Sequence, residues 1–235
     1  MRTRIACELA TGHGGSLDTA LKMVDAAAEA GADSVKVQHY GPVNPNDPQA
    51  KWLDQSRLSL YDIQTLMTRA HNRGLEFWAT PFDGPCLHDL TGIGVDRIKI
   101  ASSEASSIFW QGLNRLDASM VVSWPWGVQF PLNMEYPSAL NLTAIPLYPT
   151  PLEAVYRAPL LDGLSDHSIG LHACFHAISQ GAQWIEAHLT LGEGKSRVMV
   201  FDKHPDDFKR MREYADAVAT MKTGVSEVFR ERWRA

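Results

Sequence analysis

From Arg4 onward the sequence keeps returning to one pattern: a short apolar run, an amphipathic stretch, then a glycine. Strand-like runs separated by helix-length segments specify parallel strands with helical crossovers, because tight turns cannot join parallel strands. The clearest unit is residues 162–190. A short strand ends at Ser165-Asp166-His167. A helix then spans about Leu171 to Gln180, with Leu171, Cys174, Phe175 and Ile178 on one face. Gly181 stops it, and a strand over Gln183–Leu189 carries Glu186 and His188. This βαβ unit predicts two histidines, His167 and His188, at the C-terminal ends of neighbouring strands. That edge is where α/β folds gather ligands.

The rest of the chain follows suit. Strands are expected at Arg4–Leu9, Ser34–His39, Leu75–Thr80, Arg97–Ala101, Met120–Ser123 and Leu140–Leu147. Helices are expected from a Ser16 cap to about Ala30, over Leu60–Asn72, near Pro85–Thr91, over Ser107–Arg115, at Leu152–Tyr156 and from Asp206 to about Met221. Tyr40 to Arg57, with three prolines, reads as a long functional loop. Eight strands in 235 residues, about 29 per unit, predict an α/β fold, a (β/α)8 TIM barrel forming a single domain over residues 1–235. Between strands 5 and 6 the pattern becomes irregular and short. Trp124-Pro-Trp-Gly and Phe130-Pro-Leu-Asn-Met leave little room for helix there.

Bulk properties narrow the class. A net charge of −5 and a C-terminal basic stretch mixed with acid argue against nucleic-acid binding. No run approaches the ~20 apolar residues of a membrane span. Glu8 interrupts the N-terminal apolar run, so no signal peptide is expected. Three widely spaced cysteines, Cys7, Cys86 and Cys174, fit a reducing compartment and a cytoplasmic location.

Polar residues collect where the strands end: Glu8, Lys36, Gln38, His39, Thr80, Lys99, Ser102, Glu104, Ser123, Ser165, His167, Glu186 and His188. Barrel cores are apolar, so ionisable groups at these ends need a reason. Lys36 lies between two valines and Lys99 between two isoleucines, so strand alternation points each lysine away from its apolar neighbours. Two such lysines at a barrel mouth, with hydroxyls nearby, suit a phosphate or carboxylate. The alternative is that each pairs with an acid such as Glu8 or Glu104. His167 and His188 on adjacent strands suit a divalent metal; a pair of hydrogen-bonded structural histidines is the alternative. His172 and His176 lie one helical turn apart without an HExxH pattern and read as helix surface; Cys7 reads as a small packing residue.

At these residues the chain resembles the sialic acid synthase family, the phosphoenolpyruvate-dependent N-acetylneuraminate synthases. Seven stretches match in family order: IACEL from Ile5 with GHGGSL from Gly12; DAAAEAGADSVKVQ from Asp25; GLEFWATPFD from Gly74; IKIASSE from Ile98; YPTP from Tyr148; GLSDHSIG from Gly163; and GAQWIEAHLT from Gly181. The resemblance implies an enzyme that condenses phosphoenolpyruvate with a sugar aldehyde to a 2-keto-3-deoxy sugar acid, releasing phosphate. It implies that Lys36, Gln38, Thr80, Lys99, Ser102, Ser123 and Ser165 contact phosphoenolpyruvate. Glu104 matches a position near the sugar. His167 and His188 would hold a Mn2+- or Mg2+-type ion, and Glu8 would act as the acid near the reacting carbons.

The departures concern the sugar side. Family members usually carry a C-terminal antifreeze-like domain whose partner-chain copy covers the site, and this sequence stops after the last barrel helix. A homodimer or a separate lid-supplying partner is therefore an open expectation. Ser123-Trp-Pro-Trp replaces Ser-Thr-Gly-Met, and Pro146 stands where an asparagine is expected. The family's Gly-Pro-Asp segment reads Lys195-Ser-Arg-Val-Met-Val. An altered acceptor is expected, with Trp124 and Trp126 either narrowing the pocket or packing its rim. Two other readings stay open: an inactive barrel binding a sugar or anion, and an aldolase- or epimerase-type barrel enzyme.

Overall fold

The structure is a computed structural model that describes residues 2–105, 119–127, 139–192 and 199–232. Eight strands, β1 (Arg4–Glu8), β2 (Ser34–His39), β3 (Glu76–Pro81), β4 (Arg97–Ile100), β5 (Ser119–Pro125), β6 (Leu140–Ala144), β7 (Gly163–Asp166) and β8 (Trp184–His188), close in sequence order, every pairing parallel. The helices are α1 (Leu17–Glu29), α2 (Ala50–Ser56), α3 (Leu60–Asn72), α4 (Gly84–Ile93), α5 (Leu152–Arg157), α6 (His172–Gln180) and α7 (Pro205–Arg232). This is the expected (β/α)8 barrel. No helix among the described residues is long and apolar enough to cross a membrane.

Local chemistry explains the agreement. The Ser16 hydroxyl caps α1 by accepting from Thr19 N, and Ser59 with Asp62 forms a capping box on α3. Gly181 ends α6 in the left-handed conformation, at φ 99°. Two expectations need correction. The stretch Tyr40–Arg57 is not loop throughout. Its prolines end at Pro48, leaving Ala50–Ser56 free to form α2. That helix folds over the 12–15 loop, with Trp52 Nε1 donating to Thr11 Oγ1 and the Gln55 carbonyl where a Cβ at Gly15 would stand. The last helix also runs to Arg232, well beyond Met221. The helix expected over Ser107–Arg115 and most of the segment between β5 and β6 lie outside the described residues.

Strand alternation sorts the barrel into two cores. Outward residues such as Ile5, Val35, Phe77, Ile98 and Ile185 pack against the helices. Inward, Ala6, Trp78, Val121, Leu142 and Trp184 form an apolar floor, with the two indoles 4.6 Å apart. Two residues further along those strands stand Glu8, Thr80, Ser123 and Glu186. The polar residues are thus the layer above the floor, toward the C-terminal mouth.

Gly163 sets how closely β7 meets β8. A Cβ there would lie 2.1 Å from the Trp184 carbonyl and 2.9 Å from Leu142 Cδ2. Gly163→Ala is expected to cost ~1–3 kcal/mol by forcing the two strands apart, read as a lower urea midpoint at unchanged m-value. An unshifted midpoint would show that the pairing yields freely.

Candidate active site

Above the floor the mouth holds a cavity of about 200 Å³. Nearly every residue singled out in the sequence lines it: Glu8, Lys36, Gln38, Lys99, Ser102, Ser123, Ser165, His167 and His188. Three stand off. His39 pairs with Asp89 instead, and Thr80 is buried outside the lining and accepts from Lys36 Nζ at 3.4 Å. Glu104, half-buried after β4, is not part of the lining.

The centre is a residue that the sequence reading placed among the polar strand ends without a role. Glu186 lies two positions before His188 on β8, hence on the same inward face. Its Oε1 is 3.2 Å from Lys36 Nζ and accepts from Ser165 Oγ at 3.1 Å; its Oε2 is 3.7 Å from Lys99 Nζ. Lys36 also pairs with Glu8, whose other oxygen accepts from Ala10 N at 2.6 Å. Lys99 donates to Ser123 Oγ at 2.7 Å and to the Ile100 carbonyl at 3.1 Å. Both lysines thus pair with acids, and Glu186 rather than Glu104 is the second one.

Burial and pairing pull these groups apart in pKa. Burial alone would raise Glu186, but Lys36 and Lys99 outweigh it and hold the carboxyl at about 2. Burial raises Glu8, and the neighbouring Glu186 charge adds to that against the pull of Lys36. Burial would lower Lys36; Glu186 and Glu8 reverse this and raise it. Lys99 has the weaker partnership, so burial wins and brings it down to about 8. The cavity therefore holds one carboxyl pulled down, Glu186, beside one pushed up, Glu8, and one ammonium raised by its partners, Lys36, beside one lowered by burial, Lys99.

Two histidines line the same cavity. His188 ends β8 and His167 follows β7, their ring centroids 5.2 Å apart. Burial lowers both, His188 to about 4, so both rings are neutral at pH 7. Phe201 packs edge-on against each ring, at 5.6 and 5.2 Å, and Tyr148 lies 4.4 Å from His167. His188 Nδ1 faces Asp202 Oδ1 at 3.6 Å, while His167 Nδ1 is buried without a hydrogen-bond partner. Among the described residues no group of three or more His, Cys, Asp or Glu side chains is placed to share a metal.

The remaining expectations divide. Trp124 packs on Ile100, Met120 and Val122 and donates from Nε1 to Asn141 Oδ1 at 2.7 Å, while Trp126 packs on the outer core. Neither lines the cavity. Pro146 is exposed and outside the lining. Residues 195–198, where the aspartate-bearing segment is expected, lie outside the described residues. His39 pairs with Asp89 at 3.0 Å, His176 stacks on Tyr156, and Cys7 is fully buried. Phe82, Tyr148, Phe201 and Asp202 went unnoticed in the sequence, because no strand period marks loop residues.

The NeuB family model matches residues 23–123 and 132–226. The chain belongs to the NeuB family. It is 27% identical over 232 residues to the N,N'-diacetyllegionaminic acid synthase of Campylobacter jejuni, covering 83% of this chain and 70% of that protein. It is 27% identical over 259 residues to a C. jejuni pseudaminic acid synthase, covering 95% of this chain and 75% of that protein. In structure it is similar to the N-acetylneuraminic acid (sialic acid) synthetase of Leptospira borgpetersenii serovar Hardjo-bovis solved with citrate. There the TM-score is 0.81 at 23% identity, covering 95% of this chain and 86% of that one, a likeness of fold.

Proposed function

We propose that this NeuB-family barrel condenses phosphoenolpyruvate with a sugar aldehyde, forming a 2-keto-3-deoxy sugar acid and releasing phosphate. The observation that carries it is one cavity lined by Lys36, Lys99, Ser123 and Ser165 around Glu186 and by two neutral histidines. The names of the relatives, an N,N'-diacetyllegionaminic acid synthase and a pseudaminic acid synthase, support a sugar-acid product and leave the acceptor open.

The division of labour follows from the electrostatics. The lysines and hydroxyls bind and orient the phosphate and carboxylate, with Gln38 and Ser102 in the same lining. Two lysines against two glutamates leave the empty cavity balanced, so an entering anion adds uncompensated charge. Glu8, already raised, is the group that takes up a proton in response. It then stands as the acid that supplies a proton to the aldehyde oxygen, or later as the base that receives one from water. Tyr148 and Phe82 wall the entrance.

The histidine pair fits a divalent ion of the Mn2+ or Mg2+ type. Both rings are in the neutral, ligating form, and His167 Nδ1 has no competing partner. Such an ion polarises the aldehyde carbonyl when bound. A homodimer partner or a separate lid protein would meet the cavity at the exposed Tyr148. Three buried free thiols support a cytoplasmic setting.

The test is phosphate release from phosphoenolpyruvate with Mn2+ across a panel of aldehyde sugars. Release is expected only with an aldehyde present, and the best aldehyde names the acceptor class. Phosphoenolpyruvate affinity is expected to fall as pH rises past about 8, where Lys99 becomes neutral. Calorimetric binding of phosphoenolpyruvate without release for any aldehyde would favour the inactive binding barrel. The aldolase reading keeps one observation, the depressed Lys99 amine. Borohydride trapping of a sugar on Lys99 would establish it in place of the synthase.

A further inference from the structure

Lys203 lies outside the cavity, and nothing in the chemistry above uses it. It sits where the chain runs back beside β8. Its N–H donates to the His188 carbonyl at 2.8 Å, its own carbonyl accepts from Thr190 N at 2.9 Å, and it bridges Leu189 in parallel. The residue is 1% exposed. An ammonium so buried must satisfy three N–H donors. Each has an acceptor: Asp166 Oδ2 at 3.0 Å, the Ser168 carbonyl at 2.8 Å and the Phe201 carbonyl at 2.8 Å. Asp166 is equally engaged, accepting from Ser168 N at 2.9 Å and Cys174 Sγ at 3.3 Å.

The acceptors define the role. Asp166 and Ser168 flank His167. The backbone of Lys203 is bonded to that of His188. Just before it, Phe201 packs against both rings and Asp202 faces His188. One buried ammonium thus ties both sides of the first histidine to the strand end bearing the second and to the segment packed on both. A buried ion pair adds little stability that apolar residues of similar size would not, whereas three fixed bonds define geometry. We propose that Lys203, through Asp166, Ser168 and Phe201, is the positioning residue that fixes His167 and His188 relative to each other. Resting on the metal reading above, it sets metal affinity without touching the ion.

The test compares the full chain with Lys203→Met, Asp166→Asn and the double variant. Three quantities are read: denaturation midpoint, Mn2+ affinity by electron paramagnetic resonance, and the imidazole resonances of His167 and His188 in metal-free protein. Lys203→Met is expected to be less stable, because Asp166 is left buried and unpaired. It is also expected to bind Mn2+ about 10–100-fold more weakly, with broadened imidazole resonances. The double variant, without the charge pair, is expected to regain stability but not Mn2+ affinity, since the Ser168 and Phe201 carbonyls still lack their donor. Affinity that returns together with stability would show a purely structural pair and overturn the proposal. If Lys203→Met does not fold, the double variant carries the comparison. If the unaltered protein binds no Mn2+, the metal reading alone fails and the resonances decide. Sharp, unshifted imidazoles in the double variant overturn the positioning role, and averaged ones sustain it.

Discussion

Replacing Lys36 with methionine is expected to cost ~3–5 kcal/mol of stability at neutral pH and to reverse the pH dependence that the cavity contributes. Lys36 is buried between two carboxylates, paired with Glu8 and 3.2 Å from Glu186. Removing it leaves those acids facing each other, with only Lys99 at 3.7 Å from Glu186. In the unaltered protein Glu186 sits at about 2, below its ordinary 4.5. The unfolded chain then binds more protons between those values. The stability Glu186 adds is present above pH 4.5 and lost as pH falls toward 2. The lowered histidines act in the same direction, since neutral buried rings must be charged as pH falls from 6.5 toward 4. In Lys36→Met the Glu186 carboxyl rises instead, and Glu8, already raised, rises further. The folded state then keeps a proton that the unfolded chain releases, and stability drops as pH climbs from 4.5 toward neutrality. Urea denaturation at pH 5 and 7.5 reads the difference. The loss relative to the unaltered protein is expected to be larger at pH 7.5, and adding Glu186→Gln is expected to recover part of it. A variant equally stable at both pH values would mean that water enters the cavity and screens the acids.

The barrel was legible because its signals are local and repeated. Ser16, Ser59 and Gly181 mark helix ends by chemistry that needs no tertiary context, and strand alternation alone predicts which of Lys36, Val35 and Val37 faces inward. The same alternation brought together residues from β1, β2, β4, β5, β7 and β8, as the cavity lining shows. It carried enough information to find Glu186 as well, two residues from His188 on one strand. What hid its role is that charge balance is a property of the assembled site: Glu186 matters because Lys36 and Lys99 arrive from other strands. Lys203 was hidden more deeply. Its partners Asp166 and Ser168 lie 37 and 35 positions away, on the outer side of β7 and in the turn after it, where no period links them to a residue between β8 and α7. α2 was obscured by its neighbours, because three prolines dominate the preceding stretch while Ala50–Ser56 itself contains none.

The His188→Ala variant is expected to lose Mn2+ binding and with it aldehyde-dependent phosphate release, while keeping the fold. The fold argument comes from placement. The His188 side chain is 19% exposed on the cavity wall, so truncation widens a cavity that already exists rather than emptying the packed core. The cost is expected to be about 1 kcal/mol, a small shift in the denaturation midpoint. Among the described residues no group of three or more metal-binding side chains gathers, so under the proposed metal site His167 and His188 are the two ligands those residues supply, and His188→Ala removes one of them. Losing only an outer partner of a ligand costs ~10–100-fold in affinity, and losing the ligand itself is expected to exceed that. The pH profile separates this from a general electrostatic effect. His188 is neutral down to about pH 4, and burial lowers His167 as well. Metal binding by the unaltered protein therefore displaces no imidazole proton between pH 6 and 8, and its affinity is expected to be flat over that range. Metal content after dialysis, with the release assay beside it, reads both outcomes. Unchanged metal content in His188→Ala would remove the histidine pair from the mechanism and leave it as packing for Phe201.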